Sequence, residues 1–253
     1  MPRRLAVADL GVVPYAVALE RQRALAEDRL AGRLDHDTLL LLEHPPVVTL
    51  GRGTQAGSLP VAPELLRRRG IDVFEIERGG DVTYHGPGQL VGYPILDLAA
   101  DGLRRDLHWF LRQLEAALVD ALAALGLPAG RRDGYTGVWT ADGARKIASI
   151  GIHVRQWVTW HGFALNVTTD LSPFDLIVPC GIPGVVMTSV AMELEARTHG
   201  RTQAAVPPPG KAGAAPPRDL MRRTRDAVVA AFVRTFGYDG AETPEAVPGT
   251  AGG

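Results

Sequence analysis

The sequence predicts an α+β fold on three observations. Apolar runs of strand length recur at 38–42, 47–50, 71–77 and 90–98. Two further runs, 146–154 and 157–167, are rich in β-branched and aromatic residues and close enough to pair as an antiparallel hairpin. Between these groups Leu107, Leu111, Leu114, Leu118, Leu122 and Leu125 return at three- and four-residue steps, the period of an amphipathic helix.

From the N-terminus, Pro14 to about Leu30 sets many charges on a helix-forming background, with Pro at a plausible first-turn position. The runs 38–42 and 47–50 flank Glu43-His44-Pro45-Pro46, where two prolines impose a turn or an interrupted edge. A short helix at 62–69 stops at Gly70, and the strands 71–77 and 90–98 are separated by the polar, glycine-rich segment Arg78 to Gln89. Gly126 and Pro128 end the helix over 105–125. Along the first hairpin strand, alternation puts Lys146 on the face of Ala148, Ile150 and Ile152, with Ser149, Gly151 and His153 opposite. A helix begins after Thr188-Ser189, either hydroxyl being available as its cap. Gln203 to Pro217 is almost entirely Ala, Pro and Gly and reads as an exposed loop or linker. An amphipathic helix follows through Leu220, Val228, Val229, Phe232 and Phe236, and residues 238–253 have the composition of a disordered tail.

A chain of 253 residues, 46% of them hydrophobic, can bury one sizeable core and fits a soluble globular enzyme. A formal charge of −1 offers no electrostatic reason for binding nucleic acid or an anionic membrane. Met1-Pro2-Arg3-Arg4 is followed by no long apolar segment, one cysteine closes no internal disulfide, and no apolar run near the start approaches the roughly 20 residues of a spanning helix. A reducing cytoplasm is the expected location. The seven histidines show no metal-ligand spacing, so no metal is expected.

Two rarities carry the chemistry. Cys180 is the single cysteine, set in Val178-Pro179-Cys180-Gly181-Ile182, where Pro and Gly suit a nucleophile on a turn, although a lone cysteine is ordinarily a small buried hydrophobe. Of 27 basic residues only Lys146 and Lys211 are Lys, and Lys146 opens an apolar strand; Arg cannot lose its proton in a protein, whereas Lys can. The densest polar cluster is Arg78-Gly79-Gly80-Asp81-Val82-Thr83-Tyr84-His85-Gly86-Pro87-Gly88-Gln89. Its glycines let a backbone approach a ligand, yet it matches neither phosphate-binding motif, so a binding loop and a tight connection remain equal readings. His85 could line such a site; for His44, His153 and His161 a structural role is as good a reading.

These blocks, with Lys146-Ile147-Ala148-Ser149-Ile150-Gly151, His161-Gly162-Phe163-Ala164-Leu165-Asn166 and Pro179-Cys180-Gly181-Ile182 in that order, resemble the lipoyl(octanoyl) transferases from roughly Thr38 to Glu195. The resemblance implies a mixed β-sheet flanked by helices, like the catalytic domain of lipoate and biotin protein ligases. It implies transfer of an octanoyl or lipoyl group from acyl carrier protein to a lysine of lipoyl-carrier domains, those of 2-oxoacid dehydrogenases and the glycine-cleavage carrier protein, with no cofactor and no ATP. It makes Cys180 the nucleophile and Lys146 the residue that lowers its pKa and handles protons. It assigns the acyl site to Arg78, Gly79, Gly80, Asp81, Val82, Thr83, Tyr84 and His85, to Ser149, Ile150 and Gly151, and to Gly162, Phe163 and Ala164. The expected organisation is a catalytic domain over 1–202, the linker at 203–217, a packed helix over 218–237 and the tail. Two other readings compete: an ATP-dependent lipoate or biotin ligase, which needs no enzyme cysteine, and a non-catalytic protein that binds carrier domains.

Overall fold

The computed structural model describes residues 3–198 and 219–243 of the chain; the expected linker at 203–217 and Lys211 lie outside them. In chain order the elements are β1 (Arg4–Val12), α1 (Tyr15–Leu30), β2 (Asp37–Glu43), β3 (Val47–Leu50), α2 (Pro63–Arg68), β4 (Asp72–Glu75), β5 (Thr83–His85), β6 (Gln89–Ile95) and α3 (Leu107–Ala124). They continue as β7 (Ala129–Arg132), β8 (Tyr135–Thr140), β9 (Arg145–Arg155), β10 (Val158–Asn166), β11 (Val186–Met187), α4 (Val190–Thr198), α5 (Leu220–Phe236) and β12 (Gly240–Glu242).

Among the described residues a nine-stranded mixed sheet runs β12-β1-β2-β6-β10-β9-β8-β7, with β11 beside β9. Its β12-β1-β2 edge and the β11–β9 pair are parallel and the remaining pairs antiparallel. A second sheet, β4-β3-β5, has three strands. Helices cover both faces of the large sheet, and β2 shows why its sequence is an unbroken apolar run. Leu39 and Leu41 enter the core under α3 and α5, while Leu40 and Leu42 enter the core under α1. A strand buried on both faces needs apolar residues at every position. The side chain of Asp106 caps α3 by accepting from Trp109 N–H at 3.0 Å. Ser189 Oγ accepts from Met192 N–H at 3.3 Å, so of the two hydroxyls it is the one that caps α4.

The hairpin of β9 and β10 forms as expected, but the phase of β9 differs. Val138 of β8 pairs with Ala148 while Trp139 pairs with Lys146, which leaves Ile147 as an extra residue in a β-bulge. Ile147 and Ala148 therefore both enter the core, and Lys146 falls on the side of Ser149 and Gly151 rather than with Ala148 and Ile152. A second difference lies at the C-terminus. Where a disordered tail is expected, Tyr238 is buried against Phe232 and donates its hydroxyl to Asp37 at 2.8 Å, and 240–242 pair with β1. An aromatic ring that can fill a core cavity outweighs the polar composition around it. The polar segment 78–89 likewise contains strand β5, held by pairing with β3. Among the described residues no helix is long and apolar enough to cross a membrane.

Candidate active site

Cys180 sits in a single tight turn, Pro179–Gly181, with φ +58° and ψ +19°. L-residues rarely occupy that left-handed region, and holding one there costs about 1–3 kcal/mol. Neighbouring groups supply the restraint. Cys180 N–H donates to Val82 O at 2.8 Å and Gly181 N–H to Val178 O at 3.0 Å. Gly181, at φ +67°, presses on Asp81 so closely that a Cβ would stand 2.4 Å from its Oδ2. Asp81 is itself fixed by Ser58 Oγ and by the N–H of Val82, each at 2.6 Å. Both turn amides are thus committed to carbonyls, and the side chain of Cys180 is left half-buried and facing a cavity.

Lys146 is 1% exposed, and its Nζ donates to Cys180 Sγ at 3.1 Å. The β-bulge at Ile147 makes this contact possible, and it also brings Ser149 Oγ to 3.6 Å from the same sulfur. Strands on both sides pin the lysine backbone, Trp139 of β8 and Met187 of β11. The Trp139 ring lies under the ammonium, 5.5 Å from Nζ to centroid, a cation–π contact. Next to Lys146, Arg145 forms a buried bidentate pair with Glu193 at 2.8 and 3.0 Å, which ties β9 to α4.

The cavity, about 330 Å³, lies between the two sheets. Of the residues expected at the acyl site, Arg78, Gly80, Asp81, Thr83, His85, Ser149, Ile150, Gly151, Gly162, Phe163 and Ala164 line it together with Cys180 and Lys146. Gly79, Val82 and Tyr84 do not. Period-two alternation along β5 explains the last two: Thr83 and His85 face the cavity, so Val82 and Tyr84 turn into the core beside Phe174. Gly79 is taken up by its backbone, its N–H donating to Ile152 O at 2.8 Å. Tyr15, Tyr93, His161, Tyr135 and Ile182 also form the wall. No local pattern singles out Tyr15 at the start of α1 or Tyr93 in an apolar strand; folding alone brings them here. Gly162 lines the cavity too, but its bare face is turned to the neighbouring strand, since a Cβ would stand 2.1 Å from Gly92 O.

One wall of the cavity is polar. Arg78 is buried, with Nη2 donating to Thr49 O at 2.8 Å and Thr49 Oγ1 at 3.0 Å; burial weakens its hold on its proton, opposed by Tyr15 and Cys180 nearby. His85 Nδ1 meets Gln89 Oε1 at 2.8 Å, while Gln89 Nε2 donates to Tyr84 O and Asn166 Oδ1. That arrangement puts the proton on His85 Nδ1 and a lone pair on Nε2, and burial keeps the ring neutral. His161, at φ +58°, is also held neutral by burial, so its 3.8 Å approach to Glu77 is no ion pair. His153 is not part of the cavity wall; its ring packs on Trp160 and its Nδ1–H donates to Glu77 O at 3.0 Å.

His44 lies behind this wall. Its Nδ1–H donates to Val13 O and its Nε2 accepts from Tyr93 O–H, each at 2.7 Å, and burial lowers its pKa from 6.5 to about 4. The unfolded chain therefore binds a proton that the native state refuses between those two values. Stability is expected to rise with pH across that window and to be lost as pH falls from ~6.5 to ~4, by on the order of 3 kcal/mol from His44. His85 and His161 act in the same direction. Urea midpoints measured across this window check the expectation, and a flat profile contradicts it.

Residues 14–206 match the family model of the lipoyl protein ligase A/B catalytic domain. An octanoyltransferase of Geobacter sulfurreducens is 52% identical over 223 residues, 88% of this chain and 89% of that protein. One from Gloeobacter violaceus is 56% identical over 172 residues, 68% of this chain and 73% of that protein. Among solved structures, lipoate-protein ligase A bound with ATP superposes with a TM-score of 0.62 at 21% identity, covering 97% of this chain and 89% of that one. The bipartite lipoate protein ligase of Thermoplasma acidophilum gives 0.61 at 21% identity, covering 97% and 87%. At that identity the likeness speaks for the fold alone. By the family model and by relatives at half identity over most of its length, this chain belongs to the octanoyltransferases of the lipoyl protein ligase A/B catalytic-domain family.

Proposed function

We propose that this octanoyltransferase carries its acyl group as a thioester on Cys180, with Lys146 moving the protons. The observation behind the reading is the 3.1 Å contact between a fully buried lysine and the sulfur of a cysteine held in a left-handed turn at the cavity wall. In the first half-reaction Lys146 takes the thiol proton and the sulfur attacks the carbonyl of the donor thioester. The new C–S bond forms as the donor C–S bond breaks, and Lys146 returns the proton to the departing thiol. In the second, the amine of an acceptor lysine attacks the enzyme thioester and gives up a proton to Lys146; the amide C–N bond forms as the C–S bond to Cys180 breaks, and Lys146 passes that proton to the leaving sulfur. Arg78, Gly80, Asp81, Thr83, His85, Ser149 to Gly151 and Gly162 to Ala164 form the acyl site.

An acyl donor and a lipoyl-domain acceptor are the partners of an enzyme of this family. The reading specifies octanoyl-acyl carrier protein as donor, and lipoyl domains of 2-oxoacid dehydrogenases and the glycine-cleavage carrier protein as acceptors, in the cytoplasm. Exchange between thioesters is nearly neutral in free energy and thioester to amide is downhill. Octanoylation of an isolated lipoyl domain by octanoyl-acyl carrier protein, followed by mass spectrometry, is therefore expected to proceed at full rate without ATP. A requirement for ATP would favour the ligase chemistry instead.

A further inference from the structure

The apolar face of α3 carries one carboxylate. Glu115 is 0% exposed, one residue after Leu114 and three before Leu118, both in the core. A buried carboxylate costs several kcal/mol unless its oxygens are met by donors. Oε1 accepts from Gly137 N–H at 3.0 Å and Oε2 pairs with Arg112 at 2.5 Å. Gly137 is an unusual residue to hold. Its φ of +126° suits glycine, and a Cβ there would stand 2.6 Å from Ala148 O and 2.8 Å from Lys146 Cε. The alkyl chain of Lys146 thus crosses the bare face of Gly137, and Glu115 anchors that peptide from the opposite layer. Two residues further along β8, Trp139 supplies the ring under Nζ and pairs with the Lys146 backbone.

We propose that Glu115 is a positioning residue for Lys146. By fixing the Gly137 peptide it sets the shelf on which the lysine chain lies, and so where Nζ stands against Cys180 Sγ; this rests on the Cys180–Lys146 reading above. Arg112 answers the second oxygen, so Glu115 serves as a hydrogen-bond acceptor and not as a counter-ion to the lysine. Reach matters and charge does not, which the variants separate.

Glu115→Ala is expected to lower kcat about 10- to 100-fold with donor KM little changed, as small displacements of a reacting group do. Glu115→Gln, whose amide oxygen can still accept from Gly137, is expected to keep most of the rate. Glu115→Asp keeps the charge but shortens the reach, and is expected to fall with Ala; it also serves if the Ala variant does not fold. Leu118→Ala, on the same helix, controls for stability alone and is expected to leave kcat unchanged where the protein is folded. Alkylation of Cys180 by iodoacetamide at ~pH 7 reads the lysine–sulfur pairing without any acyl transfer, and should slow several-fold in the Ala and Asp variants only. Wild-type kcat and alkylation in Glu115→Ala or Glu115→Asp, or equal loss in Glu115→Gln and Leu118→Ala, would overturn the assignment. Persistent transfer in Cys180→Ala would instead overturn the reading beneath it.

Discussion

Lys146→Arg is expected to slow octanoyl transfer by about 10²- to 10⁴-fold although it preserves the positive charge. The wild-type ammonium meets the sulfur at 3.1 Å from a fully buried position, with Gly137 and Trp139 packed against its chain. A guanidinium is planar and wider, and its proton is not available for exchange at any working pH. Two effects therefore add: the longer group collides with the Gly137 shelf, and no base remains to collect the proton of the acceptor amine. Steady-state rates with donor and lipoyl domain in excess measure the loss. Near-wild-type turnover in this variant would reduce Lys146 to a fixed charge and remove it from the proton path.

Cys180→Ser is expected to lower transfer by about 10³-fold or more, because a hydroxyl in the same turn is a far weaker nucleophile than a sulfur that can ionise. The fold should tolerate it. The residue is half-buried, its one backbone bond to Val82 involves no side-chain atom, and Ser has no more difficulty than Cys at φ +58°. A loss of activity with unchanged thermal unfolding would place the effect on chemistry. Equal losses of both would point to a packing role for the sulfur.

Much of this arrangement was legible where local chemistry and the fold agree. The leucine run of β2, the leucine stripe of α3 and the β9–β10 hairpin are written in periodicity, because each buries a regular face. Cys180 and Lys146 stood out as rarities in the composition, and the resemblance joined residues that are 34 positions apart into one site. What escaped was set by tertiary contact. The three-residue strand β5 is too short to show a period and exists because β3 pairs with it, whereas β8, rich in Tyr, Thr, Val and Trp, is interrupted by Gly137 and takes its bulged register from β9. The bulge at Ile147 was invisible because simple alternation continues through it, yet it decides that Lys146 and Ser149 share one side. Gly137 and Glu115 carry no motif, and only the folded chain shows the first beneath the lysine and the second behind it.

The central claim is a covalent one, and intact-mass spectrometry of the enzyme mixed with octanoyl-acyl carrier protein in the absence of acceptor tests it most directly. The predicted result is an increment of one octanoyl group, mapped to Cys180, released by hydroxylamine and absent from Cys180→Ala. An octanoyl adduct that survives Cys180→Ala, or full-rate transfer by that variant, would contradict it.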